Sequence, residues 1–295
     1  MTKKNLKYII AVLALLVSFG IYYLQTPNTG KVLGQFINAS STDLRLMFFD
    51  VGQGDSSLII TPNEQKILVD GGPDRSLIGK LDGVLPLADR RIDYIILSHP
   101  HADHLTALPE VLRRYQVGAV IMTGAAHTAP DYLDFLRLIK EKNIPTKIIE
   151  QPQELVIDGI KLEFLEPTKS FFSARPENLN DSSIVFKLVY ASTSALYLGD
   201  FENEESLVIS STVPLKSDLI KIGHHGSTNA NDQSFLAAVS PTYAVISVGK
   251  NNSYGHPHYR TLYYLKQLGA QILRTDERGD IFFTSNGQTL QSLTK

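Results

Sequence analysis

Four side chains that can bind a metal ion lie close together in the segment His99–His104, which reads His-Pro-His-Ala-Asp-His. The segment directly follows Ile92–Leu97, an apolar run that predicts a buried strand. Alternate residues of an extended loop point to the same side, so His99 and His101 face one position. Asp103 and His104 then enter a predicted helix and face a second position. The spacing therefore predicts ligands for two adjacent metal ions rather than an ordinary polar loop.

The composition limits which metal chemistry is open to this loop. The chain contains no cysteine, which excludes thiolate zinc sites, iron–sulfur clusters, disulfide frameworks and a cysteine nucleophile. Imidazole and carboxylate ligands suit Zn²⁺, and mixed nitrogen and oxygen sites also suit Mn²⁺. We therefore expect two divalent metal ions, Zn²⁺ or Mn²⁺, as cofactors.

Asp200 follows a second predicted strand, Ala195–Leu198, and precedes a predicted helix, Glu202–Ile209. A carboxylate at this strand end can bridge two metal ions through its two oxygen atoms. The alternative is that Asp200 only caps the helix, a position where Asp and Asn are both common. The sequence alone leaves both interpretations open.

His224 and His225 follow a third predicted strand, Asp218–Ile222. Adjacent side chains diverge, so one imidazole can bind metal while the other faces substrate or an acid behind the site. The sequence does not say which histidine takes which role. A pair of plain loop histidines is the alternative.

Two further residues are candidates for supporting roles. Asp70 ends an apolar run before Gly71-Gly72 and either orients a metal ligand or forms an ordinary turn. His256 precedes the predicted helix Tyr259–Leu268 and is a candidate contact or proton donor for a leaving group, with a plain loop position as the alternative. Asp103, besides binding metal, and His256 are therefore the catalytic candidates.

The elements that position these residues alternate strands with helices. Short apolar runs predict strands, and apolar residues at helical spacing predict helices. Asp158-Gly159 between two apolar runs predicts a hairpin. Strand meanders precede helix–strand units in both halves, which predicts an α/β fold with two sheets between helices. The remaining predicted strands are Leu44–Phe49, Ser57–Thr61, Lys66–Val69, Ala119–Met122, Lys147–Ile149, Leu155–Ile157, Lys161–Leu165, Ser183–Tyr190, Ala244–Val248, Gln271–Leu273, Asp280–Thr284 and Thr289–Leu293, and the remaining predicted helices are Asp103–Tyr115, Tyr132–Glu141 and Ser234–Val239.

Residues 1–24 form a separate segment. Tyr8–Leu24 carries no charge and is just long enough to span a membrane, and three lysines precede it. Positive charge stays on the cytoplasmic side, so we expect a single-pass cell-membrane anchor with the catalytic domain extracytoplasmic. A signal peptide cleaved on secretion is the alternative. Residues 25–43 are rich in Asn, Thr, Ser and Gly and predict a linker, and residues 44–295 predict the folded domain.

The charge of the chain limits its partners. Without the three lysines of the anchor segment, 25 basic and 30 acidic residues remain, a formal net charge of -5 that argues against a general polyanion-binding surface. A local basic patch remains compatible with this charge. No stable protein partner can be inferred from the sequence.

Taken together, these motifs resemble those of the metallo-β-lactamase-fold hydrolases. The finer likeness is to the extracytoplasmic domain of the ComEC family of DNA-uptake competence proteins, from roughly Leu44 to Leu293. The resemblance implies a four-layer αββα sandwich with the metal site at one edge of the two sheets. It also implies a metal-activated hydroxide that attacks a carbonyl or phosphoryl centre. The segments that carry the resemblance are Phe49–Asp55, Val69–Gly72, Ser98–His104, Leu198–Asp200, His224–Ser227 and Tyr254–Pro257.

One ligand usual in this fold is missing. The fold family carries a histidine between the loop segment and the bridging aspartate, but no histidine lies between His127 and His224. Asn180 or Asp181, which fall in this stretch, can offer an oxygen ligand instead, and an oxygen ligand favours Mn²⁺.

The resemblance implies a metal-dependent hydrolase facing outward from the membrane. We expect a phosphodiester substrate, such as DNA, RNA or a phosphorylated wall polymer, and hence a phosphodiesterase or nuclease related to DNA-uptake competence. One alternative is a hydrolase of carbonyl substrates such as lactones or β-lactams. Another is a non-catalytic, metal-stabilised scaffold for DNA uptake.

Overall fold

The computed structural model describes residues 27–37, 39, 42–85, 89–202, 204, 208 and 213–294. The predicted membrane anchor lies outside these ranges, as does most of the helix expected at Glu202–Ile209. Within them, no helix has the length and apolar character needed to cross a bilayer.

Two β-sheets form the centre of the molecule. One has eight strands in the order β15-β14-β1-β2-β3-β4-β5-β6, and the other has seven in the order β13-β12-β11-β10-β9-β8-β7. In each sheet an antiparallel meander leads into parallel strands, which are β3 to β6 in the first sheet and β10 to β13 in the second. The strands are β1 (Leu44–Phe48), β2 (Ser57–Ile60), β3 (Lys66–Val69), β4 (Arg91–Ile96), β5 (Gln116–Met122), β6 (Thr146–Ile148), β7 (Gln153–Ile157), β8 (Ile160–Glu166), β9 (Val185–Tyr190), β10 (Thr193–Tyr197), β11 (Leu219–Lys221), β12 (Tyr243–Ile246), β13 (Gln271–Arg274), β14 (Ile281–Ser285) and β15 (Leu290–Ser292).

Helices cover the outer face of each sheet, which confirms the predicted sandwich. Phe48 of the first sheet and Tyr197 of the second stack at 5.8 Å within the core between the sheets. Leu108 and Phe135 pack on the outside of the first sheet, and Phe235 packs on the outside of the second. The described helices are α1 (Pro27–Ile37), α2 (Ser76–Val84), α3 (Ala102–Leu105), α4 (Leu108–Arg114), α5 (Pro130–Glu141), α6 (Gln233–Val239), α7 (Tyr259–Gln267) and α8 (Thr275–Arg278), with 3₁₀ turns at Leu179–Ser182 and Gly223–Gly226.

The predicted strands are all present, with ends that differ by a few residues, and the predicted hairpin is confirmed. Asp158 and Gly159 both have positive φ, 51° and 80°, as a type I′ turn requires. The helix predicted over Asp103–Tyr115 is instead two helices, α3 and α4. Pro109 lies in the first turn of α4 and has no N–H with which to continue a preceding helix.

The prediction of a linker over residues 25–43 is wrong for the part that forms α1. Phe36 on this helix is 0% exposed, and its ring lies 5.1 Å from that of Phe282 on β14. Val32 and Leu33 pack against the same core. These three apolar residues share one face of a helix despite the polar composition, and burying that face stabilises the helix.

We expect Phe36→Ala to lower the free energy of unfolding by about 3 kcal/mol or more, because it leaves a cavity beside Phe282. Ile37→Ala is the matched control, since Ile37 is 45% exposed and should tolerate truncation. Chemical denaturation of the two variants measures the difference. Equal stability of the two would mean that the segment contributes no more than a linker.

Candidate metal centre

The predicted site residues meet at one edge of the sandwich. Asp70 follows β3 and the segment His99–His104 follows β4, and these strands are parallel neighbours. Asp200 follows β10 and His225 follows β11, which are parallel neighbours in the other sheet. Because parallel strands end at the same edge of their sheet, the loops of both sheets meet there.

Four of these residues form a compact group that can hold a metal ion. One ligand atom from each of Asp103, His104, Asp200 and His225 lies within 4.8 Å of the others. Asp200 is 2% exposed and sits between the two histidines. Its Oδ1 is 3.2 Å from His104 Nε2, and its Oδ2 is 3.7 Å from His225 Nε2. Asp103 Oδ2 lies 3.1 Å from His225 Nε2.

The two carboxylates of this group favour positive charge beside them. Burial raises the pKa of Asp200, but the imidazoles of His104 and His225 outweigh it and hold that pKa well below its usual range. Burial lowers the pKa of His225, yet Asp200, Asp103 and Asp55 together raise it to about 10. His104 Nε2 and Asp200 Oδ1 are buried without hydrogen-bond geometry between them. The buried carboxylates thus hold positive charge on the imidazoles, and a divalent metal ion bound to these ligand atoms would supply that charge in place of the protons.

Asp70 holds His104 in position. Its Oδ2 lies 2.9 Å from His104 Nδ1 and accepts a hydrogen bond from Ser98 Oγ, while its Oδ1 accepts one from the Ser98 amide. A carboxylate beside Nδ1 keeps a proton on that nitrogen, so Nε2 is the nitrogen that would lose its proton and bind a metal ion. Burial raises the pKa of Asp70 even against the charge of His104.

The two adjacent histidines have different environments. His225 is buried, and its Nδ1 lies 2.9 Å from the carbonyl oxygen of Ser247, so Nδ1 donates there and Nε2 points into the group toward Asp103. His224 is 25% exposed, and its Nδ1 lies 2.7 Å from Glu202 Oε1. Both residues lie in the left-handed region, with φ of 45° and 52°, where non-glycine residues need support from tertiary contacts. His225 therefore belongs to the four-residue group, and His224 lies at its rim.

His99 and His101 lie beside the group but outside it. The ring of His99 is 4.3 Å from that of His104, and His99 Nε2 is 2.9 Å from His101 Nδ1. Burial and the positive charge of His104 hold the pKa of His99 well below its usual value, so its imidazole is neutral. A neutral imidazole is the form that binds metal.

The segment between the loop and Asp200 brings an amide oxygen to the site region. Asn180 is buried, its Nδ2 donates to Glu202 Oε1 over 3.2 Å, and its Oδ1 is buried without a hydrogen-bond partner. Asp181 is exposed. Of these two candidates, Asn180 is therefore the one with a free buried oxygen.

His256 lies on the partly exposed side of the group. Its ring is 5.6 Å from that of His224, and its Nδ1 is buried without a hydrogen-bond partner. Partial burial and the neighbouring His225 and His224 lower the pKa of His256 to about 4. Little imidazolium is then present at neutral pH, which favours a contact role over the predicted proton-donor role.

Two supporting residues are absent from the sequence predictions. Glu202 accepts hydrogen bonds from Asn178 and Asn180 besides contacting His224, so it links the 3₁₀ turn to the rim. Lys221 is buried, and its Nζ lies 2.6 Å from Asp55 Oδ2. The sequence signal for Lys221 was a charged side chain within the mostly apolar predicted strand Asp218–Ile222.

The pair of Asp55 and Lys221 joins the two sheets directly behind the ligands. Asp55 Oδ1 lies 3.3 Å from His225 Nδ1, and the Asp55 amide donates to the Asp103 carbonyl over 3.0 Å. Burial raises the pKa of Asp55, but the opposing effect of Lys221 and His225 is larger. The pKa of Asp55 therefore lies below its usual value, and the carboxylate stays charged. The pair thus supports both His225 and the backbone of Asp103.

Comparisons with known proteins agree with this geometry. The sequence profile of the metallo-beta-lactamase superfamily matches residues 49–250. ComE operon protein 3 of Bacillus subtilis (strain 168) is 26% identical over 259 residues, which are 82% of this chain and 33% of that protein. Competence protein ComA of Neisseria gonorrhoeae is 30% identical over 239 residues, which are 80% of this chain and 31% of that protein. The chain thus spans about a third of the length of these curated relatives.

A solved structure shows the same fold. The metallo-beta-lactamase fold protein YhfI from Bacillus subtilis matches with a TM-score of 0.57 at 12% identity, covering 82% of this chain and 100% of that one.

We expect Lys221→Met to lower the free energy of unfolding by about 3–5 kcal/mol, because it leaves the Asp55 carboxylate buried and unpaired. Arg137→Met is the matched control. Arg137 pairs with Glu141 where both side chains are about half exposed, so the loss should stay below about 1 kcal/mol. Chemical denaturation measures both. Adding Asp55→Asn to Lys221→Met should recover part of the loss, and equal costs for Lys221→Met and Arg137→Met would contradict the role of the buried pair.

Proposed function

The chain belongs to the metallo-beta-lactamase superfamily, and on that basis we propose that it is a metal-dependent hydrolase that cleaves phosphodiesters. The observation that carries the proposal is the group formed by Asp103, His104, Asp200 and His225, in which one ligand atom from each residue lies within 4.8 Å of the others. His99 and His101 lie directly beside this group and add further ligand atoms, which suits a pair of cations.

The donor set fits two divalent ions. Asp103, His104 and His225 would hold one, and His99 and His101 would hold the other, with Asp200 shared between them. Asn180 Oδ1 would take the place of the missing histidine, which makes the second site richer in oxygen and favours Mn²⁺ over Zn²⁺ there. When bound, such cations act as Lewis acids and make water a nucleophile near neutral pH.

The surrounding residues orient this set and contact the substrate. Asp70 fixes the His104 ring, and Glu202 fixes both His224 and Asn180. His224 and His256 lie at the partly exposed side, where they would donate hydrogen bonds to the oxygens of a bound phosphodiester.

DNA is the substrate that we favour. One relative that matches most of this chain, from Neisseria gonorrhoeae, is named as a competence protein, and this name supports DNA as the substrate. We also propose that residues 1–24 anchor the chain with its folded domain outside the cytoplasm. The three lysines before an uncharged run support this orientation.

Asp200→Asn provides the direct test. It keeps the shape of the side chain but removes a charge, so turnover of bis-p-nitrophenyl phosphate with Mn²⁺ or Zn²⁺ should fall by about 100-fold or more. Asp232→Asn is the matched control. Asp232 caps α6 by accepting hydrogen bonds from two backbone amides, and Asn caps about as well as Asp.

Each other outcome points to a different function. Near-equal turnover by the two variants would leave Asp200 with only a capping role. Hydrolysis of a lactone or a β-lactam without attack on the phosphodiester would favour the carbonyl alternative. No hydrolysis of either class by the unmodified chain with metal present would favour the scaffold.

A further inference from the structure

A cleft of about 280 Å³ opens beside the metal-binding loop. His101 contributes to its lining. One wall is formed by Ala126, His127 and Thr128, which follow β5 of the first sheet, and the other by residues 175–179, which follow β8 of the second sheet. The volume is close to the lower end of cavities that hold small organic ligands, about 300 Å³.

Backbone hydrogen bonds hold the two walls together. The Ala126 amide donates to the Ala174 carbonyl over 2.7 Å, and the Ser173 amide donates to the Gly124 carbonyl over 2.9 Å. The cleft is therefore a fixed feature of the fold that joins a loop of each sheet, rather than a gap between two independent loops.

The cleft contains polar groups without partners. The guanidinium of Arg175 is exposed, and within the described ranges it forms no ion pair or hydrogen bond. His127 Nδ1 is buried and has no hydrogen-bond partner there. An unpaired guanidinium presents a fork of N–H groups that matches the oxygens of a phosphate.

An exposed aromatic side chain lies three residues before Arg175 along the chain, on the loop that forms the second wall. Phe172 is 58% exposed and packs on Gly124, where a Cβ would lie 2.8 Å from the Phe172 ring. Gly124 has φ of 71°, so the residue type both permits the turn and leaves room for the ring. Exposed aromatic rings beside a cation are the common platform on which single-stranded nucleic acids stack their bases.

We infer that this cleft is a nucleotide-binding subsite next to the metal centre. Arg175 binds a phosphate that neighbours the scissile one, and Phe172 stacks on the attached base. The choice of a nucleic acid as the ligand rests on the proposed function. Binding of that ligand can be measured without hydrolysis. The subsite selects nucleic acid strands over phosphodiesters that lack a base.

One residue that lines the cleft carries a negative charge, which disfavours binding of a phosphate. Glu177 is exposed in the same wall as Arg175, and its negative charge repels a phosphate. Removing each charge should therefore change binding in opposite directions.

The test is fluorescence anisotropy of a labelled oligothymidylate with the full chain, without added metal so that the probe stays intact. Arg175→Gln should weaken binding by about 10-fold and reduce the slope of log K against log salt by about 0.7. Glu177→Gln should tighten binding. Phe172→Ala should weaken it by about 10-fold with the slope unchanged, because stacking involves no counterion release. Lys142→Gln, an exposed lysine outside the cleft, is the matched control and should change nothing.

The results separate this subsite from the proposed function. No binding by the unmodified chain, or equal effects of Arg175→Gln and Lys142→Gln, would overturn the subsite. Binding unaffected by Phe172→Ala would overturn stacking on the base. Specific binding without hydrolysis of bis-p-nitrophenyl phosphate would contradict the proposed hydrolase and leave the subsite standing, whereas hydrolysis without oligonucleotide binding would do the reverse.

Discussion

Buried negative charge is the constraint on which the rest of this site depends. Asp55, Asp70 and Asp200 are all almost completely removed from solvent at one edge of the sandwich. An ionised carboxylate is stable there only if cations or hydrogen-bond donors compensate it. Lys221 compensates Asp55, and Ser98 with His104 compensates Asp70. For Asp200 the main partners are imidazoles, whose nitrogens are also metal ligands.

The charged residues of the site come from both sheets. The first sheet supplies the segment His99–His104, Asp55 and Asp70, and the second supplies Asp200 and His225. The Ile184 amide donates to the Ser98 carbonyl over 2.9 Å, which ties the loop before the metal ligands to the second sheet. Because the apolar core between the sheets sets their separation, packing there determines whether the ligand atoms fall within reach of one another.

The sequence predicted the parts of this arrangement that depend on local pattern. The strands could be predicted because the apolar runs and turn residues that define them are local features, each only a few residues long. The segment His99–His104 could be identified because its candidate ligands have a fixed spacing along the chain. The fold followed from the order of strands and helices together with the family resemblance. The helix over residues 27–37 was not predicted, because most of its residues are polar. Its apolar face is stabilised by packing on β14, a contact with a distant part of the chain.

The remaining features depend on contacts between distant parts of the chain. The choice between His224 and His225 is made by Ser247 and Glu202, each about twenty residues away along the chain. Lys221 lies in a buried strand, and its charge is explained only by the ion pair with Asp55, which is distant in the sequence. Asn180 stands out only because its amide nitrogen is fixed by Glu202, which leaves its oxygen free. No spacing rule along the chain contains this information.

The central claim is that the buried carboxylates and histidines of this edge hold divalent metal ions. Elemental analysis of the purified chain after incubation with Zn²⁺ or Mn²⁺ and removal of free metal tests it most directly. The ligand sets predict about two ions per chain. One ion would restrict the site to the four-residue group around Asp200, and a chain that retains no metal under either condition would contradict the account.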